Sequence, residues 1–318
     1  MLMYVVKRLL IAVPTLVGMS LLIFLVLQVI PGSIIDQMAG TDMLVTTEMR
    51  ADLEARFGLD APVPVQYWRW LTSVARGDLG LSWRMNEPVI NVLGAHLGLT
   101  AELAGLALLI ALVLGIPAGI LAALQQNRWL DHVLRIISLA SLSMPIFWQA
   151  AMLLLFLSTA VGWGPPVGFV SLTDDLGRNL ATMLLPAFVL GTATSAVILR
   201  MTRASMLETL RKDYVRTARA KGLAARLTVG KHALRNALVP ILTVAGLQLG
   251  YLLGGAVVTE QVFALPGLGR LTLLAIGQRD YPLLQGAVLL ISTLFVTINI
   301  LVDALYVLVD PRIRYDSA

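Results

Sequence analysis

Six long runs of the sequence contain no charged residue, and they restrict the fold more than any other feature. Each run is at least 18 residues long. A helix needs roughly 20 apolar residues to cross about 30 Å of hydrocarbon, so each run can hold one transmembrane helix. The runs lie between Arg8 and Asp36, Glu102 and Arg128, Arg135 and Asp174, Arg178 and Arg200, Arg235 and Glu260, and Asp280 and Asp303. The sequence therefore predicts an all-α integral membrane protein with six transmembrane helices.

The third run is longer than one helix requires. It contains the sequence Gly162-Trp163-Gly164-Pro165-Pro166, and clustered Gly and Pro residues end helices. We therefore expect one helix that ends near Thr159, followed by a short loop.

The distribution of Lys and Arg predicts the orientation of the helices. With the N-terminus inside, the inner segments hold 16 Lys and Arg residues, whereas the short outer loops hold three. Five more lie in the long first outer loop, which counts little because long loops are translocated largely regardless of charge. Both termini are therefore expected in the cytoplasm. The net charge of +5 reflects this asymmetry, and we expect no nucleic-acid partner.

The predicted spans divide the chain into three parts. Residues 1–30 form the cytoplasmic N-terminus and the first transmembrane helix, and residues 31–97 form an extracytoplasmic region. Residues 98–318 form a core with five transmembrane helices and a cytoplasmic loop at residues 200–236.

Two short helices are expected in the extracytoplasmic region. Met49, Leu53 and Phe57 recur at helical spacing, which predicts the first. The second is expected to begin around Tyr67, in an aromatic-rich stretch, and to end near Gly77. Aromatic residues beside a bilayer anchor a helix at the interface or contact a partner, and both interpretations stay open.

The cytoplasmic loop is strongly basic. It carries ten Lys and Arg residues against Glu208 and Asp213. Apolar and small residues recur in it at helical spacing. They are Leu207, Leu210, Tyr214, Ala218 and Gly222. A basic amphipathic helix on this side of the membrane binds anionic lipid or a partner protein, and composition alone does not choose between them.

The residue patterns of enzyme and metal sites are missing. The chain has no Cys and three His residues, none of them in an HExxH motif. A phosphate-binding loop ending at Lys231 would need Gly where Ala225 stands, so the chain is not expected to bind ATP alone. No predicted span carries a central charged residue that could relay protons. We expect no catalytic residue, no metal ligand and no cofactor in this chain.

Small residues recur in two of the predicted helices. One helix has Gly115, Pro117 and Gly119, and the other has Gly246, Gln248, Gly250 and Gly254. A bare stripe of this kind lets another helix approach within backbone contact. The stripe from Gly246 to Gly254 is therefore a candidate for close helix packing or for lining a translocation path, and the spacing favours packing.

Several motifs occur in order along nearly the whole chain. Two lie in or directly after the basic loop, DYVRTARAKGL at residues 213–223 and HALRNALVP at 232–240. The others are FGLD at 57–60, GDLG at 77–80, SMPIFW at 143–148, RMTRASMLE at 200–208, EQVFALPGLG at 260–269, RDYP at 279–282 and DPRIR at 310–314. Together they resemble the permease subunits of ABC importers in the dipeptide/oligopeptide/nickel (Opp/Dpp type) family. The cytoplasmic pair resembles the EAA loop of that family.

The resemblance implies a type I ABC importer permease fold in the bacterial inner (plasma) membrane. It also implies that the EAA loop forms a short coupling helix that sits in a groove of an ATPase subunit. The residues concerned are Tyr214, Arg216, Thr217, Ala218, Arg219, Lys221 and Gly222. Arg216 stands where the general EAA motif has Glu, as is usual in the peptide branch.

Partners and cargo are implied as well. The expected partners are a second homologous permease subunit, two cytoplasmic ATPase subunits that bind ATP and Mg, an extracytoplasmic substrate-binding protein and membrane lipid. The leading cargo is short peptides, moved by alternating access, and the alternative in the same machinery is nickel, glutathione or an oligosaccharide. The sequence Pro31-Gly32-Ser33 stands where this branch more often has Pro-Gly-Asp-Pro, which leaves the cargo open. A self-sufficient carrier or channel is the alternative from another class.

Overall fold

The computed structural model describes residues 2–29, 60–166 and 168–309. Within these ranges the chain is helical apart from turns, short loops and an isolated bridge between Leu81 and Pro88. The helices are α1 (Leu2–Val29), α2 (Val63–Ala75), α3 (Val89–Leu124), α4 (Trp129–Ser143), α5 (Ile146–Phe156), α6 (Leu176–Leu210), α7 (Asp213–Ala220), α8 (Ala225–Leu227), α9 (Arg235–Gly255), α10 (Val257–Val262), α11 (Leu268–Gly277) and α12 (Tyr281–Val309). Leu157–Val161 and Thr228–Leu234 have π-helical hydrogen bonding. The helix predicted around Met49, Leu53 and Phe57 lies outside the described residues.

Five helical stretches are long and apolar enough to cross a membrane, and they fall in five of the six charge-poor regions of the sequence. They are Leu10–Val29, Val89–Leu124, Leu176–Leu210, Ala225–Gly254 and Tyr281–Ala304. The remaining region holds α4 and α5, which together pass the same test of length and composition. Counting this pair as one span gives six.

The third charge-free run does not form the single helix that the sequence predicts. Its two helices, α4 and the continuous helical stretch Ile146–Val161, meet at an angle of 105°. Pro145 explains the break, because proline lacks an N–H group and clashes with the preceding helical turn. The residue before it, Met144, is correspondingly extended, with ψ of 127°. The predicted end near Thr159 lies two residues before the last helical residue, Val161.

The chain divides into two compact units, the first comprising residues 1–8, 97–270 and 294–318. Its core lies where α3, α6 and α9 meet, around side chains such as Leu103, Met183 and Ile241. Helix α6 is the most buried of the candidate spans. Two thirds (67%) of its apolar window is buried, against at most 33% in the other four. The first unit is therefore built around α6.

The second unit comprises residues 9–96 and 271–293. In it α2 packs against α1, because the rings of Tyr67 and Trp70 lie 5.4 and 6.0 Å from the ring of Phe24. The Tyr67 hydroxyl also lies 2.9 Å from the hydroxyl of Ser20. Trp68 is exposed, so the aromatic residues of this helix are divided between packing and surface. Helix α2 begins at Val63, four residues earlier than predicted, because proline is well tolerated in a first helical turn.

A buried carboxylate organises the rest of the second unit. Asp280 directly precedes α12, and its Oδ1 accepts a 3.2 Å hydrogen bond from the backbone N–H of Leu283, which caps the helix. Its Oδ2 accepts a 2.5 Å hydrogen bond from the hydroxyl of Ser82 and a 3.3 Å bond from the backbone N–H of Arg84. One side chain thus holds the loop after α2 against the start of α12.

Candidate functional site

The cytoplasmic segment, defined as residues 211–223, is a short helix with a turn on either side. Helix α6 ends at Leu210, and Lys212 is extended with ψ of 146°, so the chain changes direction before α7. Helix α7 packs on the π-helical stretch 228–234 and on α6. Val215 and Ala218 are its buried residues. The expectation that Tyr214 lies on the apolar face is wrong, because the break at Lys212 shifts the helical register and leaves Tyr214 44% exposed.

The outward surface of α7 is mostly basic. The exposed residues among the predicted coupling positions are Tyr214, Arg216, Thr217, Arg219, Lys221 and Gly222, whereas Ala218 is buried. The guanidinium of Arg216 lies 3.4 Å from the carboxylate of Asp213 on the same helix. Just before α7, the hydrogen bond and the charge of Glu208 raise the pKa of Lys212. The segment therefore presents a small cationic surface, which the orientation predicted from Lys and Arg places on the cytoplasmic side.

Gly222 ends this helix in a Schellman motif. The backbone N–H of Leu223 donates to the carbonyl of Ala218 at 3.3 Å, and that of Gly222 donates to the carbonyl of Arg219 at 3.0 Å. This pattern requires a left-handed residue after the helix, and Gly222 has φ of +75°. A Cβ at Gly222 would have no heavy atom within 4 Å. Its conformation, and not a lack of space, is what calls for glycine here.

Two of the glycines in the stripe of α9 face a helix of the same chain. A Cβ on Gly246 would collide with the side chain of Val302, and one on Gly250 would lie 2.8 Å from the ring of Phe295. Both partners are on α12. Gln248 is half-buried and Gly254 is exposed. Gly246 and Gly250 therefore lie against α12, whereas Gln248 and Gly254 keep accessible surface.

Helices α3 and α6 approach more closely still. A Cβ on Gly115 would lie 2.8 Å from the carbonyl oxygen of Ser195, and one on Gly119 would lie 2.7 Å from that of Leu199. On α6, a Cβ on Gly191 would lie 2.8 Å from the carbonyl oxygen of Ala107 on α3. Backbone oxygens are among these close neighbours, so the glycine seam of Gly115, Gly119 and Gly191 has no room for larger side chains. It joins the part of α3 from Ala107 to Gly119 to the part of α6 from Gly191 to Thr202.

The break between α4 and α5 is closed by a side chain. The Nε2 group of Gln149 donates to the carbonyl oxygens of Ser141 at 2.9 Å and Met144 at 2.8 Å. These carbonyls lie at the end of α4, where the helix no longer supplies partners. Gln149 also lines an open groove of about 320 Å³ between α5 and α6, together with Trp148, Met152, Phe156, Phe188 and Thr192 among others. This feature was not predicted from the sequence, although SMPIFWQ contains both the proline and the glutamine.

Two other buried carboxylates were missed as well. Glu260 is fully buried and accepts hydrogen bonds from the Thr100 hydroxyl at 2.7 Å and the Arg270 backbone N–H at 2.9 Å. Asp131 is also fully buried and pairs with Arg203. Both acids lie near the ends of the spans. The only hint in the sequence is the glycine pair of EQVFALPGLG, which allows the chain to turn closely around Glu260.

The fold of this chain is matched by a solved membrane transporter. A chain of the methionine ABC transporter MetNI, in an inward-facing conformation, superposes with a TM-score of 0.58 at 20% identity. The match covers 72% of the present chain and all of the MetNI chain. At this identity the likeness establishes the fold, which is that of a type I ABC importer permease.

Family models and individual relatives agree with this class. Residues 115–315 match the model of the binding-protein-dependent transport system inner membrane component, and residues 1–104 match its N-terminal counterpart. The dipeptide transport system permease protein DppB of Alkalihalophilus pseudofirmus is 42% identical over 99% of this chain and 100% of its own length. The di/tripeptide permease protein DppB of Pseudomonas aeruginosa is 43% identical, with 99% of both chains covered.

These matches define the chain as a multi-pass permease subunit of the bacterial inner membrane. It belongs to the family of binding-protein-dependent transport system inner membrane components. As a member of that family it works with the other components of an ABC transporter.

Proposed function

We propose that this chain is one permease subunit of an ABC importer that moves short peptides across the inner membrane. The observation that carries the proposal is the 42–43% identity, over essentially the whole chain, to permeases named for dipeptide and di/tripeptide transport. A second homologous permease subunit would complete the path. Two ATPase subunits, which bind ATP and Mg, would drive it, and an extracytoplasmic binding protein would deliver the peptide.

The cytoplasmic segment is the proposed contact with an ATPase subunit. Tyr214, Arg216, Thr217, Arg219 and Lys221 are exposed and supply the contacting side chains. Buried Ala218 holds α7 against the body of the permease, and Gly222 forms the turn that ends the helix. In the proposed interface α7 acts as a rigid element, because both of its ends are fixed by backbone turns.

Movement would pass from α7 into the most buried helix of the first unit. Helix α7 packs on α6, and α6 is joined to α3 by the glycine seam. When two ATPases close on ATP, helices joined in this way move as one body, which is the rigid-body form of alternating access. In this proposal Gly246 and Gly250 hold α9 against α12. Gln248 and Gly254, which keep accessible surface, are the positions of the stripe available to the path or to the partner subunit.

The proposal is tested by reconstituting the chain into proteoliposomes with the second permease subunit, the ATPases and the binding protein of the same transporter. We expect uptake of radiolabelled dipeptide that needs both ATP and the binding protein. Competition by excess unlabelled peptide, nickel, glutathione or oligosaccharide identifies the cargo. Uptake that continues without the ATPases would instead indicate a self-sufficient carrier or channel.

A further inference from the structure

A bidentate ion pair joins the start of α4 to the cytoplasmic half of α6. The Nε group of Arg203 donates to Oδ1 of Asp131 at 2.7 Å, and its Nη2 group donates to Oδ2 at the same distance. Asp131 also accepts a 3.0 Å hydrogen bond from the backbone N–H of Asn127. Two parallel hydrogen bonds between planar groups fix orientation as well as distance. Helix α4 therefore cannot slide or rotate on α6 without breaking the pair.

This ion pair is a buried polar attachment of α4. In this fully described helix only Asp131 and Ser138 are buried, and the Ser138 hydroxyl donates to the carbonyl of Arg135 in its own helix. The apolar residues of α4 are largely exposed, Ile136 and Ile137 by 65% and 60%. Helix α4 packs mainly on α6, and of its two buried side chains only Asp131 bonds to that helix.

The Asp131–Arg203 pair lies between the cytoplasmic segment and the break that separates α4 from α5. On one side, α6 runs from Arg203 to Leu210 and then into the cytoplasmic segment. On the other, α4 runs from Asp131 to the break at Met144–Pro145, beside the open aromatic groove between α5 and α6. Helices broken within a membrane are characteristic of transporters, where the broken region lines a cavity.

We propose that the Asp131–Arg203 pair transmits movement of the cytoplasmic segment to the broken helix α4–α5. The two residues are positioning residues and do not contact the cargo. The inference rests on the proposed function, since it takes α7 as the contact with an ATPase. In this proposal, the ion pair couples ATP hydrolysis to opening of the path.

The first test compares Arg203→Lys, which keeps the charge but loses the two-pronged geometry, with Arg203→Met. Each variant is reconstituted into the complete transporter, and ATP hydrolysis and peptide uptake are measured together. We expect Arg203→Lys to assemble and hydrolyse ATP, while peptides moved per ATP fall by about tenfold, a size typical of altered coupling. Arg178→Met, an exposed arginine at the other end of α6, is the control and should keep the wild-type ratio.

An assembled Arg203 variant with an unchanged number of peptides per ATP would overturn the inference. Failure of both variants to assemble would also overturn it, because that is the result of a purely structural anchor. A wild-type complex that shows no ATP-dependent uptake would refute the proposed function instead, and the next measurement still decides whether the ion pair fixes α4 to α6.

The second test measures the attachment directly in the full-length chain. The chain has no native cysteine, so Ile136→Cys on α4 and Ala204→Cys on α6, both at exposed positions, can be spin-labelled alone. We expect a narrow distance distribution between the labels when Arg203 is present and a clearly broader one with Arg203→Lys. An equally narrow distribution in the variant would mean that the ion pair does not fix α4 to α6.

Discussion

The hydroxyl of Thr100 donates a 2.7 Å hydrogen bond to Oε1 of Glu260, and both residues are fully buried although 160 positions separate them. The same hydroxyl accepts a 2.8 Å hydrogen bond from the backbone N–H of Leu268, at the start of α11. Gly267 lies so close to the Glu260 carboxylate that a Cβ there would collide with it. The motif EQVFALPGLG thus forms a turn around its own glutamate, and Thr100 ties that turn to α3.

The Glu260–Gly267 contact predicts a non-additive pair of substitutions. Gly267→Ala should lower the free energy of unfolding by about 1–3 kcal/mol, because the added methyl group overpacks the carboxylate. Glu260→Ala should cost a similar amount, since the Thr100 hydroxyl and the Arg270 N–H lose their acceptor, about 1–3 kcal/mol. In the double variant the collision is gone, so its loss should be smaller than the sum. Thermal unfolding in detergent measures all three, and strict additivity would contradict the contact.

The seam between α3 and α6 predicts that Gly119→Ala is destabilising. The new Cβ would lie 2.7 Å from the backbone oxygen of Leu199, and backbone atoms cannot move aside, so we expect a loss of about 1–3 kcal/mol. Gly105, on the same helix, has nothing within 4 Å of an added Cβ. Gly105→Ala is the matched control and should be neutral or stabilising by up to about 1 kcal/mol through helix propensity. Equal melting temperatures for the two variants would argue against the seam.

The contact between Gly250 and Phe295 predicts rescue by a second substitution. Gly250→Leu should destabilise the chain and reduce assembly of the complex, because the side chain enters the space of the Phe295 ring. Adding Phe295→Ala should restore assembly, since the ring is removed. The measurement is the yield of assembled complex after affinity purification. If Gly250 lines the path instead, Gly250→Leu will assemble normally and block uptake, and Phe295→Ala will bring no improvement in assembly.

The left-handed turn at Gly222 predicts a graded effect on coupling. Gly222→Val should reduce uptake by at least about tenfold while the chain still inserts, because a β-branched residue disfavours positive φ. Gly222→Asn should keep most of the uptake, since asparagine tolerates this conformation. Copurification of the ATPases and peptide uptake are measured on the same preparations. Normal uptake by a well-expressed Gly222→Val variant would remove the proposed role of this turn.

The orientation of the chain predicts opposite labelling of two introduced cysteines. Glu87 and Ala224 are both exposed, and the chain has no other cysteine. In intact spheroplasts a membrane-impermeant maleimide should label Glu87→Cys and leave Ala224→Cys unlabelled, as the excess of Lys and Arg around Ala224 requires. Lysis should make Ala224→Cys reactive as well. Labelling of Ala224→Cys before lysis would refute the orientation.

The class of this protein follows from local features of its sequence. The apolar runs are local features, and a run long enough to cross the membrane predicts a span whatever surrounds it, because hydrocarbon offers backbone groups no other partners. The numbers of Lys and Arg in the segments between the spans predict the orientation, and these counts are local features as well. The order of short motifs from residue 57 to residue 314 indicated the permease family, and the family matches confirmed it.

The contacts that hold these helices together join residues that are distant in the sequence. The register of α7 depends on the break at Lys212 and on what covers Val215, so a regular helical spacing wrongly placed Tyr214 inside. Asp131 with Arg203 and Ser82 with Asp280 are 72 and 198 positions apart. A buried carboxylate is stable only where donors converge on it, and no local pattern states which distant donors will do so. The residues that face the glycines between α3 and α6, and the donors that bind the buried carboxylates, are therefore visible only in the folded chain.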